Sequence, residues 1–179
     1  MPSYPSVTQA ISGFADFSMV PPITLQLAAA RGTRVHSACT AHALGLWCPP
    51  LPADEQGYLD SFVKWFDLAV AEVAWCEKEL IDEGLGFRGH PDLLCKVKGD
   101  TKLTLIDLKT PAAKLKAWRA QLAGYWHLCE SNGYGPIGRV ASLRLKPKGG
   151  MPIFDDYGLD TVDLNALIQA VQAWRYFNE

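Results

Sequence analysis

Residues 86–111, GFRGHPDLLCKVKGDTKLTLIDLKTP, form the stretch on which the fold turns. Leu93 to Val97 and Leu103 to Leu108 read as two strands, and Gly99-Asp100 between them is a hairpin signal. Asp92 opens the first strand, Asp107 lies near the end of the second, and Lys109 follows two residues later. Side chains two apart on a strand share a face, so Asp107 and Lys109 point the same way. Burying a carboxylate and an ammonium at the apolar end of LTLIDLKT is costly unless they pair or hold a metal.

Carboxylates converging from adjacent strands make a hard-oxygen site suited to Mg²⁺ or Mn²⁺. A lysine beside them can orient or deprotonate a water, or offset phosphate charge. The plainer alternative is a hairpin carrying an ordinary Asp–Lys ion pair, and D-x-K alone is a weak signal in a chain of this length.

Read together, the motifs are more specific. Asp92, fourteen intervening residues and then Asp107-Leu108-Lys109 resemble the active-site signature of the PD-(D/E)XK nuclease superfamily. Gln121 and Tyr125 are similar to the Q-x-x-x-Y helix motif of its RecB-like and phage-exonuclease branch. Gly32 to His36 (GTRVH) resembles that branch's G-x-x-x-H motif, whose histidine is a metal ligand. Glu77, fifteen residues before Asp92, falls where the branch carries a further acid. The match spans roughly Arg31 to Glu130.

The resemblance implies a single α/β domain with a restriction-endonuclease-like core, a mixed β-sheet flanked by helices. It implies a metal-dependent deoxyribonuclease, foremost an exonuclease of DNA recombination or repair, using one or two Mg²⁺ or Mn²⁺ ions. His36, Asp92, Asp107 and the Leu108 carbonyl would hold metal. Lys109 would act on the attacking water, and Glu77 would assist at a second metal, a water or the substrate. Gln121 and Tyr125 would fix the DNA strand or the site geometry, or else simply pack against the sheet. Lys114 and Arg119, upstream of them, are candidate DNA contacts. DNA is the implied partner, with a single-strand annealing or recombination protein as a companion; oligomeric state stays open. A structure-selective endonuclease and a non-catalytic DNA-binding module on the same fold are the alternatives. Paired acids also serve glycoside hydrolysis, but Lys109 and the charge distribution argue against it.

That distribution is uneven. Net charge is −2, yet Arg88 to Lys148 holds twelve basic and four acidic residues, a local +8 against −10 elsewhere. The motif-bearing half thus has the sign that phosphate binding requires, although a solvated basic face has the same composition.

The 179 residues are enough for one well-buried domain. No run approaches the ~18 apolar residues of a membrane span, and MPSYPSVTQ lacks signal-peptide character, so a cytoplasmic setting is expected. Five cysteines (Cys39, Cys48, Cys76, Cys95, Cys129) contain no C-x-x-C pair, which argues against a zinc site or a disulfide framework. Some RecB-like nucleases hold an iron–sulfur cluster through cysteines near the C-terminus; none follows Cys129 here, so no cluster is expected.

The remaining chain divides into a helical part over 1–73, a catalytic core over 74–155 and a closing helix over 160–178. Met1 to Val20 is turn-rich, with a helix opening at Ser6-Val7-Thr8. Pro21-Pro22 sets up a helix from Ile23 to Leu46, in which Gly32 marks a close backbone approach and His42 is structural. After the stiff Cys48-Pro-Pro-Leu-Pro connector, the spacing of Tyr58, Phe62, Trp65, Phe66, Ala69 and Val73 predicts a helix from Asp54 or Gln56 to Val73. Trp75 to Asp82 reads as the first strand, with Glu77 and Glu79 on one face. Thr110-Pro111 predicts the start of a helix running to Ser131, with Asn132-Gly133 as its stop. Strands are expected over Arg139 to Lys146 and Met151 to Phe154, with Lys146 and Lys148 on a basic loop able to touch phosphates. Asp160 to Asn178 closes the chain as a helix.

Overall fold

The computed structural model describes residues 4–14, 19–111 and 113–178; part of the turn-rich start and one residue of the loop after Pro111 lie outside them. A capping box opens α1 (Val7–Ile11): the Ser6 hydroxyl accepts from the Gln9 amide while the Gln9 side chain accepts from the Ser6 amide. After a 3₁₀ turn come α2 (Pro22–Ala43), with proline in its first turn, and α3 (Gln56–Ala69). The strands are β1 (Val70–Cys76), β2 (Leu80–Asp82), β3 (Phe87–Gly89), β4 (Leu93–Val97) and β5 (Leu103–Lys109). Then follow α4 (Ala117–Ser131), β6 (Ile137–Arg144), β7 (Ile153–Asp156) and α5 (Thr161–Asn178).

Five strands form one mixed sheet in the order β1-β4-β5-β6-β7, and β2-β3 is a separate hairpin. Only β5 and β6 run parallel, because α4 carries the chain back between them. The fold is thus an α/β domain with a mixed sheet flanked by helices. Alternation along the strands sorts two cores. Leu94, Leu105 and Val140 pack with Leu122 and Leu128 of α4, Leu167 of α5 and Val7 of α1. Leu93, Ile106, Leu108 and Leu143 pack with Val35 of α2 and Phe62 and Trp65 of α3. No helix among the described residues is long and apolar enough to cross a membrane.

The helix expected to reach Leu46 ends at Ala43, the last two strands are each displaced by two residues, and three boundaries depart further from the sequence reading. The helix expected to reach Val73 ends at Ala69, and β1 begins at Val70, so the helical part stops four residues early. Ala69 and Val73 both pack on the α2–α3 core, and bulges in the β1–β4 pairing let a strand mimic the helical period there. The first strand is accordingly shifted: it ends at Cys76, and Glu77 takes φ 44°, a left-handed conformation rare for a residue with a Cβ. Glu77 and Glu79 therefore do not lie along one strand face. The third departure is α4, which starts at Ala117 and not at Thr110-Pro111. Residues 111, 113, 114 and 116 are exposed, so no apolar stripe supports a helix until Trp118 is buried. Gly32, expected at a close approach, has open space where a Cβ would stand.

Candidate active site

The β4–β5 register places Leu93 across from Ile106, so one step further Asp92 stands across from Asp107. The Asp92 carboxylate is tied down on both oxygens: Oδ2 accepts from the Leu108 amide at 2.6 Å and Oδ1 lies 3.2 Å from Nδ1 of His36 on α2. Leu108 thus reaches the cluster through its N–H, a group separate from the carbonyl that the resemblance implies as a ligand. The turn after β1 delivers Glu77, whose backbone amide donates to the Asp92 carbonyl at 2.9 Å. Ligand atoms of His36, Glu77 and Asp92 all lie within 4.8 Å of one another. The strained φ of Glu77 is what turns its side chain from the sheet toward this group.

Asp107 stands behind them, 3% exposed. Its buried Oδ2 is engaged by Nζ of Lys109 at 2.5 Å. Lys109 also donates to Gln121 Oε1 at 2.8 Å. Gln121 Nε2 in turn donates to the Tyr125 hydroxyl at 3.1 Å, and that hydroxyl is also hydrogen-bonded to Thr8 of α1. A polar chain thus runs from β5 across α4 to the first helix. Gly89 makes room for it, since a Cβ there would press on the Tyr125 ring.

The electrostatics follow from this packing. Burial is the largest influence on Asp107 and, reinforced by Asp92 and opposed by Lys109, pushes its carboxyl up to about 6. Burial also works to raise Asp92, but His36, Lys109 and the Leu108 amide outweigh it and hold that carboxyl below its ordinary value. For His36 burial works downward, and the attraction and hydrogen bond of Asp92 reverse it, leaving the imidazole above its usual value. Two acids in one site are pushed apart, a common condition of acid–base chemistry. Burial raises the nearby thiols, Cys39 well above its ordinary range and Cys76 to about 11, which favours their protonated form.

Lys114 and Arg119 are not brought into this group. Lys114 lies in the loop before α4, pairs with Asp155 at 3.1 Å and covers the Tyr157 ring. Arg119 fastens α4 to α5 through Asp163 at 2.9 Å and Asp160 at 3.2 Å. Two residues join the site that motif reading passed over. Thr40, one turn after His36 and so on the same helix face, donates to Glu77 Oε1 at 3.3 Å. Trp118 lies with its ring centroid 5.4 Å from Lys109 Nζ. The i, i+4 spacing from His36 could have identified the first; nothing local identifies the second.

No family model matches the chain, and no curated protein matches it. Among solved structures it is similar to that of SSO0001, at 16% identity and a TM-score of 0.40, over 72% of this chain and 62% of that one. The chain thus spans less than two thirds of that protein, and at this level the likeness carries no functional argument.

Proposed function

We propose that this chain is a metal-dependent deoxyribonuclease with a restriction-endonuclease-like core, hydrolysing DNA phosphodiesters as an exonuclease of recombination or repair. One observation carries the reading: Asp92 and Asp107 meet across adjacent strands, the second buried against the Lys109 ammonium, beside His36 and Glu77. Carboxylates with one imidazole are the donor set that Mg²⁺ or Mn²⁺ accepts. His36, Asp92, Asp107 and the Leu108 carbonyl would hold the ion, with Glu77 as a further ligand. The bound ion supplies Lewis-acid stabilisation of the charge that develops on the phosphate.

The protein's own groups do the rest. Gln121 holds Lys109 Nζ in place, and Lys109 orients the attacking water. Water oxygen bonds to phosphorus as the scissile P–O bond breaks; the water gives up a proton to solvent, and the leaving oxygen takes one from solvent. Tyr125 and Thr8 keep Gln121 from swinging away. The excess of lysine and arginine over Arg88 to Lys148 supplies the attraction for DNA.

The test compares end-labelled single-stranded and double-stranded linear DNA with a closed circle, in Mg²⁺, Mn²⁺ or EDTA. Nucleotide release from linear DNA, stopped by EDTA and restored by either ion, is expected. Salt-sensitive DNA binding with no release under any metal would leave a binding module in its place.

A further inference from the structure

Beside the acid cluster lies a second cavity, about 390 Å³, lined by Arg31, Tyr58, Thr110, Pro111, Arg144 and Lys146 among others. It adjoins the catalytic strand: Thr110 follows Lys109, whose carbonyl accepts from the Leu145 amide at 2.8 Å. Its charge is one-sided, with three cations and no acid among its lining residues. Arg144 is held by Asp155 at 2.6 Å, which fixes the guanidinium and offsets part of its charge. Arg31 stacks its guanidinium over Tyr58, 5.7 Å from the ring centroid, and its Nε is buried without a hydrogen-bond partner. The acid whose charge acts on Arg31, Glu55, is already committed to Arg34 through two contacts of 2.9 and 2.5 Å. Arg31 as a whole is only half-buried, so the rest of its guanidinium, in a cavity lined by three cations, can take an anionic acceptor from outside the chain.

The cavity is built, not incidental. The Lys146 amide donates to Ser61 Oγ at 3.0 Å, and Lys64 donates to the Gly149 carbonyl. Gly57 lets α3 press against this loop, because a Cβ at that position would overlap the Pro147 carbonyl. Its volume lies at the small end of the ~300–1,000 Å³ range of small-molecule pockets, room for one nucleotide and too little for a helical stretch. Tyr58 and the two prolines offer apolar surface to a sugar or base, while Arg31 and Lys146 offer donors to a phosphate.

We infer that this cavity is a mononucleotide subsite that seats the phosphate and sugar of the nucleotide next to the scissile bond. The inference deepens the nuclease reading and rests on it: a single-nucleotide seat beside Lys109 is what a strand-end enzyme uses and an internal cutter does not need.

The experiment is calorimetric titration in EDTA of the full chain with deoxyadenosine 5′-monophosphate, inorganic phosphate or deoxyadenosine. The monophosphate is expected to bind at least about tenfold more tightly than either fragment, and Arg31→Gln and Lys146→Gln each to weaken it about tenfold, the loss of one charged contact. Lys109→Ala keeps the affinity, which separates this cavity from the acid cluster. Thermal melts verify folding; half-exposed Lys146 alone carries the test if Arg31→Gln does not fold. Equal binding of phosphate and monophosphate, or affinity unchanged in the folded variants, overturns the subsite. Metal-dependent cleavage without monophosphate binding removes the subsite and leaves the nuclease. Binding that follows Arg31 and Lys146 without cleavage supports the subsite and removes the nuclease.

Discussion

The two faces of the central sheet are built from the same strands and yet differ in kind. Toward α2 and α3, Leu93, Ile106, Leu108 and Leu143 meet Val35, Phe62 and Trp65 in an apolar layer. Toward α4, β5 contributes Leu105 and then Asp107 and Lys109, which continue into Gln121 and Tyr125. A buried ion pair rarely adds stability over apolar residues of the same volume. Both faces carry an apolar core, but only the second also holds charges where water is scarce, which gives up some stability.

Lys109→Ala is the largest way to break this contrast. Cleavage should fall by about 10²- to 10⁴-fold, the range for removal of a proton-handling group, while the melting curve stays cooperative and DNA retention on a filter persists. Full turnover by this variant would reject the assignment. Phe62→Ala, on the apolar face, should cost ~3–5 kcal/mol in urea unfolding, with cleavage per folded molecule unchanged. A loss of specific activity in the folded fraction would mean that the two faces are not independent.

Asp107→Asn sharpens the contrast through pH. A carboxyl raised to about 6 in the folded state binds more protons there than in the unfolded chain, where its value is ~3.9. Stability of the wild type should therefore decline as pH rises from about 4 to 6, and Asp107→Asn should flatten that part of the profile. Asp92, held low, works with the opposite sign: its stabilisation is present above the ordinary carboxylate value and is lost at lower pH. Equal slopes for wild type and variant between pH 4 and 6 would contradict the burial of Asp107. The smallest effect is expected at Arg119→Ala. Its ion pairs with α5 are solvent-screened, so cleavage should stay at the wild-type level; a marked rise in the apparent dissociation constant for DNA would make it a contact.

Much of the site was legible because its members sit on short, strongly patterned elements. The hairpin turn and the apolar alternation of LTLI fix which side of β5 carries Asp107 and Lys109. Gln121 and Tyr125 come together through helical spacing alone. Glu77 was located by its distance from Asp92, yet the strand around it was not, because its role depends on a backbone conformation that no residue preference announces. Lys114 and Arg119 stand out as DNA contacts on charge and position; what the sequence does not show is that Asp155, Asp160 and Asp163, forty or more residues away, engage them.

By itself, then, the sequence determined the periodicities: which segments are helix or strand, which residues share a face, and that one half of the chain is basic. These are local quantities, set by backbone geometry and side-chain chemistry within a few residues. Tertiary structure alone decided that β5 pairs in parallel with β6, that His36 reaches Asp92 from another layer, that Asp107 is buried, and that Arg31 and Lys146 wall one cavity. Each of those depends on closing a long loop and excluding water between distant segments. Their free energy comes from the packing of the whole domain and not from any stretch of it.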